Sequence, residues 1–199
     1  MIYLDNAATT SMDPEIITSL HGCMRDQFAN SGAVYGIGID AKKKIEEAIE
    51  NIAFALGIPS SHNLVFTSGG TESNNLFIKG LCFPDKKTAY LGLEHPSITE
   101  TVLSFKKFSN EPFSLSKFNK QGRLDLSCLP LLKEKKIRLL CLSHVNNELG
   151  TINDPVLLID AMKKESPQTR LFLDGVQAVG KIKLNKCMWA GLALSLIHI

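Results

Sequence analysis

Much that would mark a specialised protein class is missing from this sequence. Its five cysteines, Cys23, Cys82, Cys128, Cys141 and Cys187, are odd in number and never stand as Cys-x-x-Cys. Neither a disulfide framework nor a structural zinc centre is therefore expected, and no other metal site is read. No block of like charge is longer than Lys42-Lys43-Lys44, and 22 basic against 20 acidic residues leave a net charge of +2. That balance argues against a nucleic-acid surface and against a polybasic membrane anchor. No apolar run is long enough to span a bilayer. The first residues, Met1-Ile2-Tyr3-Leu4-Asp5-Asn6, have no basic stretch followed by an apolar one, so no secretory leader is read there and the expected compartment is the reducing cytosol. Internal repeats and low-complexity tracts are absent too. What remains is 199 residues, 44% hydrophobic and 21% charged, the composition of a globular domain or of a piece of a larger one.

Apolar spacing predicts the organisation. Ile2-Tyr3-Leu4 reads as a short strand or extended arm, and Asp13-Pro14 as a cap and first helical residue. Between Asp40 and Leu56, Ile45, Ile49, Ile52 and Leu56 recur at helical intervals, with Gly57 as the stop. After that, apolar runs alternate with helical stretches. Leu64 to Thr67 precedes a helix from Thr71 to Cys82, and Ala89 to Leu91 precedes one near 97–107. Ile137 to Leu142 follows a helix near 125–134, and Leu171 to Leu173 follows one near 156–164. Strands alternating with helices predict the α/β class, a mostly parallel sheet flanked by helices.

Ligands of such sheets sit beyond the carboxyl ends of the strands. The segments placed there are Thr67-Ser68-Gly69-Gly70-Thr71-Glu72-Ser73-Asn74-Asn75, Glu94-His95, Ser143-His144-Val145-Asn146-Asn147-Glu148 and Asp174-Gly175-Val176-Gln177. Gly70 and Thr71, between strand and helix, are candidates for cradling a phosphate, although an ordinary glycine turn with a Ser or Thr cap has the same sequence. His95, ahead of Pro96, could stack on a flat ring or move a proton, or be a plain surface histidine. Asp174 could pair with a cationic ring nitrogen, or cap a turn. Asn147 and Gln177 could reach the same ligand, or serve turn chemistry. Together these groups suit an anionic, aromatic, nitrogen-containing cofactor, and pyridoxal 5'-phosphate requires such a set. A nucleotide-binding domain would instead want GxGxxG or GxxxxGK[ST] after the first strand, and neither occurs there.

Five blocks in order, Tyr3-Leu4-Asp5-Asn6-Ala7-Ala8-Thr9-Thr10, Val65 to Asn75, Glu94-His95, His144-Val145-Asn146-Asn147-Glu148-Leu149-Gly150 and Asp174 to Lys181, resemble the cysteine desulfurases of the class V aminotransferase family. The resemblance implies the type I pyridoxal-phosphate transferase fold, with residues 1–12 as an arm of the small domain and 13–193 as an incomplete large domain. It implies phosphate contacts from Gly70 and Thr71, and ring stacking and proton shuttling by His95, the one catalytic residue it assigns. Contacts to the ring hydroxyl come from Asn147 and Gln177, and pairing with the ring nitrogen from Asp174. It further implies L-cysteine as substrate, L-alanine and an enzyme persulfide as products, an iron–sulfur scaffold or other sulfur-acceptor protein as partner, and a homodimer at full length. A selenocysteine lyase or another class V aminotransferase would share these residues, and a non-catalytic remnant or binding protein is a further alternative.

The chain departs from the family pattern at two places. Where the family has Asn-Pro-Ser-Ser-x-His, this sequence reads Asn30-Ser31-Gly32-Ala33-Val34-Tyr35-Gly36, which alters a loop on the substrate side. The Ser-x-Ser-x-His-Lys motif with the Schiff-base lysine, and the later cysteine loop, are not found; the sequence closes on Leu194-Ser195-Leu196-Ile197-His198-Ile199. Those final residues equal a translation of the start of a transposase adapter used for sequencing libraries. The expectation is that Leu194 to Ile199 is translated adapter and that this part of the enzyme is inactive alone.

Overall fold

The computed structural model describes residues 2–81, 86–108, 112–184 and 194–195. The chain divides into two compact units, Met1–Val65 and Phe66–Ile199. Cys82, Cys187 and His198 lie outside the described residues, as does the terminal segment apart from the backbone of Leu194 and Ser195.

The first unit is an arm and two helices. The arm forms no strand; the Tyr3 hydroxyl lies 2.7 Å from Thr9 Oγ1, closing a local turn. Helix α1 (Pro14–Asp26) starts as its sequence predicts, with Asp13 Oδ1 accepting the Glu15 N–H at 2.8 Å and proline in the first turn. Helix α2 (Gly36–Leu56) carries the periodic isoleucines and ends at Gly57, whose φ of 65° is the left-handed cap that glycine adopts without a Cβ clash. Near its start the backbone passes so close to the preceding loop that a Cβ on Gly38 would lie 2.8 Å from both Ala33 Cβ and Ala33 O.

The second unit is built on a parallel sheet. Its strands are β1 (Lys87–Leu91), β2 (Phe113–Leu115), β3 (Ile137–Ser143), β4 (Arg170–Asp174) and β5 (Leu194–Ser195), in the order β2-β1-β3-β4-β5. Every pairing is parallel. Helix α3 (Gly70–Gly80) leads into β1, and the crossovers between strands run through α4 (Pro96–Leu103), α5 (Leu129–Glu134) and α6 (Pro155–Glu165). Side chains of a strand alternate between faces, and both faces here are covered. Leu139, Cys141 and Phe172 pack with Ile78, Ile98 and Val102 from α3 and α4. Leu140, Leu142, Leu171 and Leu173 pack with Leu132, Leu158 and Met162 from α5 and α6. Burial on both faces explains why 139–142 of β3 read as an uninterrupted apolar run rather than an alternating one.

The α/β class and the parallel sheet are as expected, with three local differences. Leu64 to Thr67 forms no strand, and Val65 and Phe66 are 67% and 55% exposed. An apolar run becomes a strand only where a neighbour pairs with it, and no described strand lies beside this one. The stretch near 97–107 is α4 followed by a 3-10 turn, Ser104–Phe108, and the one near 125–134 likewise opens as a 3-10 turn, Leu126–Cys128. Strand β2, three residues long, carries too short a pattern to be read in advance. Among the described residues no helix is long and apolar enough to cross a membrane.

Candidate active site

The carboxyl ends of β1, β3 and β4 bring the predicted segments to one edge of the sheet. Asp174 is the last residue of β4 and is 6% exposed. Its Oδ1 accepts the Val176 N–H at 2.9 Å and its Oδ2 accepts Asn74 Nδ2 at 2.7 Å. Burial raises the Asp174 pKa above the ordinary carboxylate value, while the bonds from Asn74 and Val176 and the nearby His95 work against that rise. A cation placed beside it would favour the ionised form.

His95 caps α4. Its Nδ1 accepts the Ser97 N–H at 3.1 Å and lies 2.8 Å from Ser97 Oγ. An Nδ1 that accepts has no proton, so the neutral ring carries its proton on Nε2. Asn74 joins the two residues: the same Nδ2 that donates to Asp174 donates its second hydrogen to Ser97 Oγ at 2.8 Å. A continuous chain thus runs from the Asp174 carboxylate through Asn74 and Ser97 to the His95 imidazole. Asn74 is 1% exposed, and its own Oδ1 is buried with no donor.

Gly70 opens α3, where aligned N–H groups favour an anion, and it is buried while Thr71 in the same turn is exposed. A carboxylate of this first turn reaches back to the loop before the helix. Glu72 Oε2 accepts both the backbone N–H and the hydroxyl of Ser68 at 2.6 Å, which holds its pKa below the usual range. Gln177 follows β4 by three residues, and its Oε1 accepts Lys181 Nζ at 2.6 Å. Asn147 is half-buried in the turn after β3. Its neighbour Asn146 does the structural bonding there, donating to Leu93 O at 2.8 Å and accepting the N–H groups of Glu148 and Leu149.

Asn74, Ser97, Ser143 and Glu94 take part in this edge although none was assigned a role from sequence. Asn74 stands in the segment Val65 to Asn75, and its signal is its place one helical turn after Gly70, on the buried face of α3. Glu94 Oε2 accepts the Ser143 N–H at 2.8 Å and forms a very short bond with the Ser143 hydroxyl. Its other oxygen is buried without a donor. Burial raises the Glu94 pKa to about 7 against the two bonds from Ser143, with the Asp174 charge adding to the rise.

The donor set fits a pyridoxal phosphate. The Asp174 carboxylate and two buried acceptors without donors, Asn74 Oδ1 and Glu94 Oε1, suit a ring that brings a proton and positive charge. The α3 start suits its phosphate.

The family model for aminotransferase class-V matches residues 2–188. Cysteine desulfurase IscS of Dictyoglomus turgidum is 34% identical over 188 residues, 92% of this chain and 47% of that protein. A cysteine desulfurase of Trichormus azollae is 33% identical over 190 residues, 93% of this chain and 46% of the relative. Among solved structures, a NifS-like protein aligns with a TM-score of 0.87 at 28% identity, covering 98% of this chain and 54% of the other. A NifS-like protein from Rickettsia africae aligns at 0.83 and 31%, with the same coverage. The chain therefore spans about half the length of the relatives it matches. Class V aminotransferases and cysteine desulfurases depend on pyridoxal phosphate, so the cofactor expected from the residues is also that of the relatives. With the parallel sheet, the ligand-edge aspartate and a family match over nearly its whole length, this chain belongs to the class V aminotransferases.

Proposed function

We propose that this chain is the ring- and phosphate-binding part of a pyridoxal-phosphate-dependent cysteine desulfurase. Such an enzyme takes sulfur from L-cysteine, leaves L-alanine, and passes a persulfide to an iron–sulfur scaffold or another acceptor protein. The observation that carries the reading is the chain of bonds from Asp174 through Asn74 and Ser97 to His95 at the carboxyl edge of the sheet. Support comes from the relatives named cysteine desulfurase and from a solved structure titled as SspA in complex with cysteine, 27% identical with a TM-score of 0.86.

In this reading Asp174 holds the ring-nitrogen proton, and Asn74 fixes the carboxylate so that one oxygen is set by Val176 and the other by the amide. When bound, the cofactor supplies an electron sink. His95 would stack on the ring, its Nδ1 anchored to Ser97 so that Nε2 is the atom able to give or take a proton. Gly70 and Thr71 orient the phosphate, and Asn147 and Gln177 approach the ring hydroxyl. The lysine and the nucleophilic cysteine of the reaction are not assigned among the described residues.

Titrating pyridoxal phosphate into the purified protein, with and without His95→Ala, tests the binding. The substitution is expected to weaken it, since a stacked aromatic contact contributes about 0.5–1.5 kcal/mol. Alanine formed from L-cysteine by the full-length protein tests the reaction, with none expected from residues 1–199 alone. A protein that binds no cofactor, or a full-length protein that forms no alanine, would overturn the reading.

A further inference from the structure

Among the described residues, Glu94 is the buried acidic group at this edge that the proposed reaction does not use. Its loop is held on three sides. Gly92 N donates to Leu115 O of β2 at 3.0 Å, Leu93 O accepts Asn146 Nδ2 at 2.8 Å, and the Glu94 carboxylate takes both hydrogens of Ser143. Ser143 ends β3 directly opposite Asp174 in the sheet register, and the next residue, His144, donates its N–H to Asp174 O at 2.8 Å. Asn153 Nδ2 fixes the Ser143 carbonyl at 3.0 Å. The bonds of one carboxylate therefore tie the loop that carries His95 to the strand pair that carries Asp174. The ionisable groups around it are Asp174 at the end of β4, His144 beside Ser143 on β3, and His95, its neighbour in the chain. Glu94 Oε1 is buried and accepts from no group.

We propose that Glu94 is a positioning residue of the ring site, fixing the separation between His95 and Asp174 through Ser143, and that its charge is coupled to that of the ring bound between them. The inference rests on the pyridoxal-phosphate reading. Two nearby carboxylates repel when both are ionised, and a cationic ring relieves that repulsion. Binding then favours ionised Glu94 and releases a proton, so the cofactor binds more tightly as Glu94 loses its proton.

The experiment measures the Kd for pyridoxal phosphate from about pH 6 to about pH 8 in the wild-type protein, Glu94→Gln and Ser143→Ala. The titrations of the cofactor itself are common to all three. The wild type is expected to gain about tenfold more affinity over this interval than Glu94→Gln, within the limit of about tenfold per pH unit that one linked proton sets. Ser143→Ala removes a hydroxyl that stabilises the ionised carboxylate, so its break is expected at higher pH than in the wild type. That shift carries the test even if Glu94→Gln does not fold. Parallel wild-type and Glu94→Gln profiles, or an unmoved break in Ser143→Ala, overturn the inference alone. Absence of cofactor binding in the wild type overturns both the inference and the functional reading.

Discussion

Glu94→Gln has a consequence for stability that needs no cofactor. The carboxyl titrates from an ordinary 4.5 when exposed to about 7 in the fold, because burial outweighs the two bonds from Ser143 and the Asp174 charge adds to the rise. Between those values the folded state holds a proton that the unfolded state has lost. The unfolding free energy therefore falls as pH rises: the contribution is complete below the unfolded pKa and lost on passing through the folded one. The gap converts to about 3 kcal/mol, at about 1.4 kcal/mol per pKa unit. Asp174 is shifted in the same direction, so the variant keeps part of the trend. Urea denaturation followed by circular dichroism at about pH 5 and about pH 8 measures the difference. The wild type should lose about 2.5 kcal/mol more than Glu94→Gln across that range, since part of the contribution is already gone at about pH 5. An equal loss in the two proteins, or a wild type that gains on the variant as pH rises, would refute the reasoning.

Three further substitutions test the packing. Gly38→Ala should destabilise α2 by about 1–3 kcal/mol, because its Cβ would meet the Ala33 and Asn30 carbonyl oxygens at 2.8 and 2.9 Å, which outweighs the helix propensity gained; loss of helical ellipticity on heating reads it. Asp154→Ala removes the acceptor for the Val156 and Leu157 N–H groups at the start of α6 and should cost about 1 kcal/mol in a urea titration. Phe172→Ala removes a ring 1% exposed and stacked on Phe77 with centroids 5.0 Å apart, and should cost about 3–5 kcal/mol, enough to lower the melting temperature by several degrees.

The parts of the fold that could be read in advance are those with a local cause. Helix α2 declares itself through isoleucines spaced along one stripe and a glycine stop, and α1 through its Asp-Pro start. The middles of β3 (139–142) and β4 (171–173) are apolar because both faces are covered. Leu64 to Thr67 has the composition of a strand without a described partner, and pairing is not a local property. The site divides in the same way. Asp174 and His95 are visible because each ends an apolar run at the ligand edge. Asn74 reaches Asp174 from 100 positions away, and Glu94 reaches Ser143 from 49, so their contacts depend on the crossovers being in place. Within the Asn146-Asn147 pair, composition cannot tell which amide turns inward, and Asn146 is the one that makes the buried bonds.

The central claim is that Asp174 pairs with the protonated nitrogen of a pyridoxal-phosphate ring. The most direct test is a spectrophotometric titration of the cofactor into wild-type protein and Asp174→Asn at neutral pH. Asparagine keeps the shape and an acceptor but not the charge that holds the ring proton. Loss of a hydrogen bond to a charged group, about 1.5–3 kcal/mol, predicts affinity weaker by roughly 10- to 100-fold. Equal affinity and equal spectra in the two proteins would contradict the account.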